Sequence, residues 1–530
     1  MVGYPFIPYL LTLFLSLSPS ILTQINCVLS SATFFSAFAG AGLILLLPVR
    51  LAMLSRWVAL ASALAGLGFA AAALAAYDNS PAAPAVQFLT DLPWVPQLGI
   101  SFLTGADGIS LAMLVLTGII AVAGVLFSWN VAHRPRAFFA FFLLIIGGVF
   151  GVFQSFDLFL LFVFYEIVIL PKYFLIAAWG STNREYGAMK LTMYSVAGSG
   201  LVLLVLLAIP VASGAHTFNL FALADPARSV FAPAFQTWAF PVLFTGFAVL
   251  AGLWPLHTWA PTGHVAAPTA VSMLLAGVVM KLGSYSALRV AMTVFPYGLD
   301  QWRTAFAVLA AAGIVGGALV ALSQRDLKFT VGYSSIAHMG FVLLGLMTLN
   351  LAGLSGAVLQ MFSHGIIGGL LFAVVGRMIY DRTHTRDMAA LGRMNLSKAI
   401  PFATLTFTVA SVASMGLPGF SGFIAEFTIL KGAWQAFPLF LIPAGLGVVV
   451  TVAFTLRALQ KTFFPSHPDG QPSAAGESTL DPITLPEKLG ALLLMAVTLA
   501  IGVFPSVLLD PILRSFDSPL MQSVLREGMK

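Results

Sequence analysis

Long apolar stretches separated by short polar loops run through almost the whole chain. An α-helix needs about 20 apolar residues to cross the roughly 30 Å hydrocarbon core of a bilayer. A further apolar segment at residues 4–24 is expected to be an extra N-terminal hydrophobic helix, an uncleaved signal-like segment or a misplaced start. The stretches predict an all-α polytopic membrane protein with about 14 transmembrane helices, at 27–48, 54–76, 109–129, 137–155, 157–179, 188–212, 236–256, 266–291, 304–324, 328–349, 354–380, 399–430, 438–464 and 487–512.

The charged residues agree with this interpretation. They make up only 8% of the chain, whereas a soluble domain carries about 25%. If the loop after the first span is cytoplasmic, 16 Lys and Arg residues fall in cytoplasmic loops and 7, including Arg289, fall outside. Only Lys172 and Lys281 then remain inside the membrane. This positive-inside bias predicts a multi-pass membrane protein with both ends outside, and it argues against nucleic-acid binding.

Several chemistries are excluded or unsupported by the sequence. Cys27 is the only cysteine, so neither an internal disulfide nor a cysteine metal cluster can form. No P-loop or dinucleotide-binding fingerprint follows a predicted strand. His257, Trp259 and His264 resemble a metal site at first sight, but no carboxylate or thiol lies near them, so we predict no metal there.

One stretch, Pro255–Arg289, carries the strongest functional signal. It begins as a loop rich in Pro, His and Trp and becomes an apolar helix with Lys281 near its middle. A lysine at that depth costs at least about 2.5–3.5 kcal/mol to insert, so it is functional by default and needs a partner. A nearby charge can switch the protonation of a buried lysine, as a proton pump requires; the alternative is a static ion pair.

Three further buried groups could move protons. Glu166 lies in the middle of a span, where a carboxylate is neutralised unless a cation is close. His338 and His364 also lie mid-span, each with a polar neighbour one turn earlier, Ser334 and Gln360. Histidine titrates near neutral pH and can pass a proton between waters. The alternatives are a protonated glutamate and two hydrogen-bonded core histidines.

Glu426 follows an interruption in an apolar span, MGLPGFSG at Met415–Gly422. Broken backbone at membrane depth must line protein or a water cavity, so Glu426 could be a proton exit or a helix-end cap. The other punctuated region is Trp254–Pro268. Paired broken helices in matching positions indicate inverted repeats, which predicts two inverted five-helix repeats.

Lys172 follows Pro171 in the same span as Glu166, six residues later. That spacing places the two side chains about 120° apart around a regular helix, a turn and a half away from each other. Lys172 is therefore not a simple partner for Glu166. We favour snorkelling to the interface or a contact with another subunit, and a role in proton translocation is speculative.

The expected organisation follows the chain in order. It comprises an N-terminal hydrophobic extension at 1–26, N-terminal transmembrane helices at 27–136, a first antiporter-like repeat region at 137–302, a second at 303–465, a cytoplasmic loop at 466–486, and a C-terminal transmembrane helix with its tail at 487–530.

Taken together, the polar segments resemble the antiporter-like subunits of bacterial respiratory complex I, the NADH–quinone oxidoreductase, and subunit M in particular. The resemblance runs in family order from about residue 30 over nearly the whole chain. It rests on DLPWVPQLGISFLTGADGISLAML, FYEIVILPKYFLIAAWG, PLHTWAPTGHVAAPTA, AGVVMKLGSYSALR, SSIAHMGFVLLG, QMFSHGIIGGLLF, YDRTHTRDM and ASMGLPGFSGFIAEF.

The resemblance implies a fourteen-helix subunit of the bacterial inner membrane that moves a proton through a chain of buried charged residues, driven from a quinone site elsewhere in the complex. It implies that Glu166 and Lys281 match the family's charged residues of the fifth and eighth helices. It also implies that His338 and His364 link them to an exit at Glu426. NADH, flavin, iron–sulfur clusters and quinone would belong to partner subunits, with L-type and N-type neighbours in the bilayer, and this subunit would bind no cofactor.

One departure from the family pattern concerns the partner of Glu166. The resemblance implies a lysine in the seventh helix, where this chain has Leu250 in FAVLAGLWPLH. Compensation by Lys172 is the hypothesis that this departure raises. Two alternatives stay open. One is an Mrp-type cation/proton antiporter subunit, and the other is a translocation-degraded subunit of a related hydrogenase or carbon-uptake complex, which Leu250 favours.

Overall fold

The computed structural model of the protein describes residues 19–225, 231–465 and 480–528. The first half contains α1 (Pro19–Leu46), α2 (Ser55–Ala76), β1 (Gln87–Val95), β2 (Ile100–Ala106), α3 (Gly108–Phe127), α4 (Pro135–Gln154), α5 (Leu158–Ile167), α6 (Ile169–Trp179), α7 (Arg184–Ser213), α8 (Pro233–Ala251), α9 (Trp259–Ala266) and α10 (Thr269–Val294). The second half contains α11 (Pro296–Ser323), α12 (Leu327–Met347), α13 (Leu351–Thr383), α14 (Pro401–Ser414), α15 (Ser421–Ala436), α16 (Leu441–Phe463), α17 (Leu485–Val503), α18 (Ser506–Ser515) and α19 (Pro519–Gly528). Short helical turns lie at Val49–Leu54, Pro96–Leu98, Leu220–Leu223, Met388–Gly392, Leu396–Ala399 and Pro438–Phe440.

The predicted polytopic helical fold is confirmed. Within the described ranges, thirteen helices are long and apolar enough to cross a membrane, and they match thirteen of the fourteen predicted spans. The remaining prediction, 399–430, corresponds to two shorter helices, α14 and α15. Most of the doubtful segment 4–24 lies outside the described residues; from Pro19 onward the chain is part of α1.

A β-hairpin interrupts the helices between α2 and α3, which an all-helical prediction does not anticipate. Strands β1 and β2 pair antiparallel, and Gly99 occupies a left-handed conformation (φ +67°) between them. The hairpin packs on a later loop, because Phe218 N–H donates to Gly99 O at 3.2 Å. A side-chain cap joins it to the start of α5, where Asp157 Oδ2 accepts from Ser101 N–H at 3.1 Å.

Loops predicted to share one side of the membrane are in contact. On the predicted outer side, Asp157 bridges to Asn219. On the predicted inner side, Ser181 N–H donates to Ala266 O at 2.8 Å, and Leu327 N–H donates to Arg386 O at 2.9 Å. These contacts support the alternating order of loops on which the predicted topology depends.

Two regions of the described chain break the helices inside the apolar bundle. Helix α8 ends at Ala251, before Gly252 (φ +83°), α9 and α10, and α14 and α15 are separated by a loop with Gly416 (φ +73°) and Gly419 (φ +99°). Both match the predicted interruptions, and the inverted relation of the two repeats stays a prediction. The helix that contains Glu166 continues from α5 into α6, because the backbone of Val168 between them is helical (φ −73°, ψ −23°).

Helices α10 and α13 form the centre of the fold. Every residue in the most apolar 18-residue stretch of α10, and of α13, is buried inside the protein. In the corresponding stretches of the peripheral helices α2 and α16, only 28% and 33% of the residues are buried. The two backbones approach closely, since a Cβ at Gly365 would lie 2.6 Å from Gly277 O. This contact brings the helix that carries Lys281 against the helix that carries His364.

The end of the chain differs from the prediction. The last span was expected to reach residue 512, but α17 ends at Val503 and a separate helix, α18, begins at Ser506. The hydroxyl of Ser515 accepts the Ile109 N–H at 3.0 Å, so α18 packs against the start of α3. The shorter α17 results from the Phe504–Pro505 step, because a proline disfavours a helical conformation in the preceding residue.

Candidate functional site

Lys281 lies in the fully buried centre of α10. Two π-helical segments flank it, Leu275–Val279 and Ala287–Ala291, and such segments often occur at functional sites. The ammonium donates to Ala276 O and lies 2.8 Å from His364 Nδ1. The partner that the sequence analysis predicted for Lys281 is therefore His364 on α13.

The two predicted histidines face each other. The ring centroids of His338 and His364 are 5.5 Å apart, at 30° to one another. Both side chains are almost completely buried, at 5% and 4% exposure. The rings are therefore close enough to exchange a proton through one intervening water molecule or hydroxyl group.

His338 is bonded at both of its ring nitrogens. Its Nδ1 lies 3.0 Å from Glu426 Oε1, and its Nε2 lies 3.1 Å from Ser414 Oγ. Gln360, expected to neighbour His364, instead donates to Glu426 Oε1 at 3.1 Å and lies 3.3 Å from His338 Nδ1. The tertiary packing, rather than helical spacing, assigns the hydrogen-bond partners of this histidine.

Glu426 lies one turn inside α15, directly beyond the break that separates α14 from α15. A Cβ at Gly416 would lie 3.3 Å from Glu426 Oε2, so the left-handed glycine keeps the loop close to the carboxylate. Ser414, the last residue of α14, is the residue bonded to His338. The break therefore supplies both a hydroxyl and a carboxylate to the same histidine.

A cavity of about 10 Å³ separates His364 from the Ser414–His338–Glu426 group; Gln360, Ser363 and Gly422 also line it. This is about the smallest volume that holds one water molecule. His364 Nε2 and Gln360 Oε1 are buried and have no hydrogen-bond partner, and both belong to residues that line the cavity. Lys281, His364, His338 and Glu426 thus form one buried row of ionisable groups with a single gap, the size of one water molecule, between the two histidines.

Glu166 and Lys172 lie apart from this row. Glu166 forms no ion pair within the described residues, and its buried Oε1 has no hydrogen-bond partner. Lys172 is 1% exposed and its Nζ lies 3.4 Å from Ser195 Oγ. The expectation that Lys172 snorkels to the surface is therefore wrong, because the packing of α6 on α7 encloses its side chain.

Leu250 lies near the end of α8 and is 2% exposed. It is part of the hydrophobic core. The seventh-helix position that differs from the family pattern is thus a packed apolar site. The side chain there cannot neutralise Glu166.

Sequence reasoning missed a buried ion pair at the other end of α10. Arg289 was assigned to an outer loop, yet it is 1% exposed and its Nη2 lies 2.6 Å from Asp107 Oδ1. Its guanidinium also stacks over Phe156 and Tyr285. A signal was available, since Arg289 falls inside the apolar run 266–291 that predicted the span.

A second missed network lies on the predicted inner side. Glu487, 1% exposed, accepts from Arg377 Nε at 2.7 Å and from Arg382 Nη2 at 2.8 Å. Glu487 also caps the start of α17, because its Oε2 accepts from Thr484 N–H at 2.9 Å. The network therefore ties α13 to α17.

The loop residues that resembled a metal site have other surroundings. The indole N–H of Trp259 donates to Val249 O at 2.8 Å. His257 is half-buried, whereas His264 is fully buried and stacks on Phe372 with 4.6 Å between the ring centroids. Among the residues that the structure describes, no group of three or more His, Cys, Asp or Glu could hold a metal ion.

Broken helices around a buried row of ionisable side chains define a polytopic membrane protein of the antiporter-like class. Comparison with known proteins gives the family. Residues 155–455 match the family described as the transmembrane part of NADH:quinone oxidoreductases and Mrp antiporters. The chain belongs to this family, within its subunit M or chain 4 branch.

Two curated relatives illustrate this branch. The chain is 36% identical over 464 residues to NADH-quinone oxidoreductase subunit M of Rhodobacter capsulatus, covering 86% of this chain and 88% of the relative. It is 37% identical over 401 residues to NAD(P)H-quinone oxidoreductase chain 4 of Gloeobacter violaceus, covering 74% and 75%. The chain therefore corresponds to most of the length of these relatives.

Solved structures share the fold. A chain of respiratory complex I from Thermus thermophilus with bound NADH is 26% identical with a TM-score of 0.79, and the match covers 93% of this chain and 99% of that one. A chain of the Mrp complex from Dietzia sp. DQ12-45-1b has the same TM-score at 22% identity, with 94% and 99% covered.

Proposed function

We propose that this chain is a proton-translocating membrane subunit of a bacterial NADH–quinone oxidoreductase. Protons would move through its buried charged residues, coupled to quinone reduction elsewhere in the complex. NADH, flavin, iron–sulfur clusters and quinone would bind to other subunits. L-type and N-type antiporter-like subunits would be its neighbours in the bilayer.

The row from Lys281 to Glu426 is the observation that carries this proposal. Each consecutive pair in the row is within hydrogen-bond distance except the two histidines, and the cavity lies between those two. Buried ionisable groups in a membrane are costly and mark ion or proton pathways by default. A static packing role would not require four such groups in sequence.

The contacts suggest an order of proton transfers. Lys281 gives a proton to His364 Nδ1, and His364 releases one from Nε2 to water in the cavity. The Ser414 hydroxyl relays a proton to His338 Nε2, and His338 donates from Nδ1 to Glu426 Oε1. A neutral imidazole suits this role because one nitrogen accepts while the other donates.

The test is a Lys281→Ala variant in inverted membrane vesicles, with NADH-driven quinone reduction and proton uptake recorded together and assembly checked by blot. We expect an assembled complex in which both activities fall. Lys398→Ala, which changes a lysine in the predicted cytoplasmic loop, is the matched control and should behave as wild type. Unchanged proton uptake in an assembled Lys281→Ala complex would refute translocation through this chain.

We also propose that Glu166 and Lys172 form the ionisable pair of the first half of the subunit. They are the two charged side chains inside the Leu158–Trp179 helix, and they interact electrostatically. Lys172→Met and Glu166→Gln should each slow proton uptake in membranes that contain the assembled complex. The double variant should take up protons no more slowly than the slower single variant. Additive losses would contradict the pairing.

One observation favours a second function, in which translocation is degraded in the first half of the subunit: Leu250, where the family pattern has a lysine, is packed in the apolar core. In that case both Lys172→Met and Glu166→Gln would leave proton uptake unchanged while Lys281→Ala still abolished it. An Mrp-type antiporter would instead show sodium-dependent transport without NADH oxidation.

A further inference from the structure

Lys281 has no carboxylate partner among the residues that the structure describes. Its ammonium contacts two uncharged groups instead, the backbone carbonyl of Ala276 and the imidazole of His364. Inside a membrane such a cation pairs with other ionisable groups or with backbone carbonyls. A carbonyl within an α-helix is normally bonded to the N–H four residues later, so the availability of Ala276 O needs an explanation.

The π-helical segment Leu275–Val279 releases this carbonyl. At its end, Met280 N–H donates to Leu275 O, five residues earlier, whereas in a regular α-helix it would donate to Ala276 O, four residues earlier. A π-helical turn thus contains one residue more than an α-helical turn, and one carbonyl loses its regular main-chain donor. Buried carbonyls are nearly always paired, and here the Lys281 ammonium is the partner of Ala276 O.

The π-helical segment of α13 is built in the same way. Val374–Tyr380 is followed by Asp381, whose N–H donates to Gly376 O, five residues earlier, so Arg377 O loses its regular donor. The guanidinium of Arg382 donates to this carbonyl, with 2.8 Å between Nη1 and Arg377 O. In both segments the released carbonyl lies five residues before the cation that bonds to it. This recurrence argues against a chance contact in α10.

The second π-helical segment of α10, Ala287–Ala291, provides a comparison. Met292 N–H donates to the carbonyl of the first residue of this segment, which releases Leu288 O. The residue five positions later is Thr293, and its hydroxyl donates to Arg289 O at 2.7 Å. The second segment therefore releases a carbonyl without a cation to bond to it.

We propose that the π-helical segment Leu275–Val279 positions Lys281 for proton transfer, because the Ala276 carbonyl that it releases holds the ammonium against His364 Nδ1. Lysine carries its charge on a flexible four-carbon side chain, and two acceptors fix its direction better than one. Ala276 acts through Lys281 and is therefore a positioning residue. The inference rests on the proposed function and adds the group that sets the geometry of the first proton transfer.

The test removes the extra residue of this segment. Deletion of Val278 makes Met280 the fourth residue after Leu275, so their bond becomes α-helical and the register of Lys281 is kept. The main-chain N–H of Lys281 then pairs with Ala276 O, and the ammonium loses this acceptor. In inverted vesicles with the assembled complex, we expect NADH-driven proton uptake to fall by roughly tenfold or more, since misplacing a reacting group by about 1 Å costs this much.

Deletion of Val290 is the matched control. It removes the extra residue of Ala287–Ala291 on the same helix, and proton uptake should stay at the wild-type level. Wild-type uptake in an assembled complex that lacks Val278 would overturn the proposal, and so would equal losses in the two deletions.

Heat stability separates positioning from packing. Lys281→Met leaves Ala276 O without a donor, and adding the Val278 deletion gives this carbonyl a main-chain N–H. The deletion should therefore lower the thermal midpoint of the solubilised complex in the wild-type chain and raise it in the Lys281→Met chain. A change of the same sign in both chains would overturn the proposal, as would failure of both deletion chains to assemble.

The proposed function and the positioning role fail in different ways. Unchanged uptake in Lys281→Ala refutes the proposed function, whatever the order of the thermal midpoints. Loss of uptake in Lys281→Ala, together with wild-type uptake after deletion of Val278, refutes the positioning role alone.

Discussion

The buried pair of Arg289 and Asp107 provides a quantitative prediction. The two side chains are at most 1% exposed and 2.6 Å apart, and the pair joins the outer end of α10 to the start of α3. Removing one partner of such a pair leaves an uncompensated buried charge, which costs about 3–5 kcal/mol. Replacing both by apolar groups is much less costly, since neither charge is then left alone.

The variants are chosen to isolate the charges. Asp107→Asn keeps the side-chain oxygen that accepts from Ser110 N–H at 2.9 Å and so preserves the cap of α3. Arg289→Met keeps much of the length that packs over Phe156 and Tyr285. Each single variant should lower the free energy of unfolding by about 3–5 kcal/mol. If the two effects were additive, the double variant would lose about 6–10 kcal/mol. We expect the double variant to be no less stable than either single variant.

The assay is heating of the detergent-solubilised complex, followed by size-exclusion separation and blotting for the subunit that stays assembled. Arg303→Met supplies the control, because Arg303 and Asp300 form a solvent-accessible pair 3.6 Å apart, 26% and 46% exposed, and such pairs are worth about 0–1 kcal/mol. The expected order of thermal midpoints is wild type and control together, then the double variant, then the two single variants. A double variant that dissociates at a lower temperature than both single variants would refute the energetic pairing of Asp107 with Arg289.

Three other substitutions probe the site and its supports. Ser414→Ala removes the hydroxyl bonded to His338 Nε2 at 3.1 Å, and proton uptake in inverted vesicles should slow while assembly stays normal; unchanged uptake would exclude the hydroxyl from the path. Gly416→Val forces a side chain into a left-handed conformation at φ +73°, at about 1–2 kcal/mol, and presses on Glu426. Heating of the solubilised complex should therefore show a lower midpoint and vesicles a lower uptake, and wild-type values in both would contradict the close approach. Glu487→Gln weakens the charge-assisted bonds that tie α13 to α17, worth about 1.5–3 kcal/mol each, and a thermal midpoint equal to that of wild type would show that these bonds do not stabilise the fold.

The architecture could be predicted from the sequence because membrane insertion is governed by local composition. A bilayer accepts a helix when about 20 successive residues are apolar enough, and this condition is visible without any tertiary contact. The same reasoning identified Lys281, Glu166, His338, His364 and Glu426, since an ionisable group inside an apolar run stands out by its cost. The interruption at Met415–Gly422 was equally visible, because glycine and proline act through their own backbones.

The pairing of these groups depended on the tertiary structure. The partner of Lys281 is His364, which is distant in sequence and meets it because the small residues of α10 and α13 let their backbones approach. The burial of Lys172 and Arg289 likewise follows from neighbouring helices that enclose them. Sequence patterns record which residues are costly in a membrane, whereas the free energy that offsets the cost comes from contacts between helices. Only the packed structure specifies those contacts.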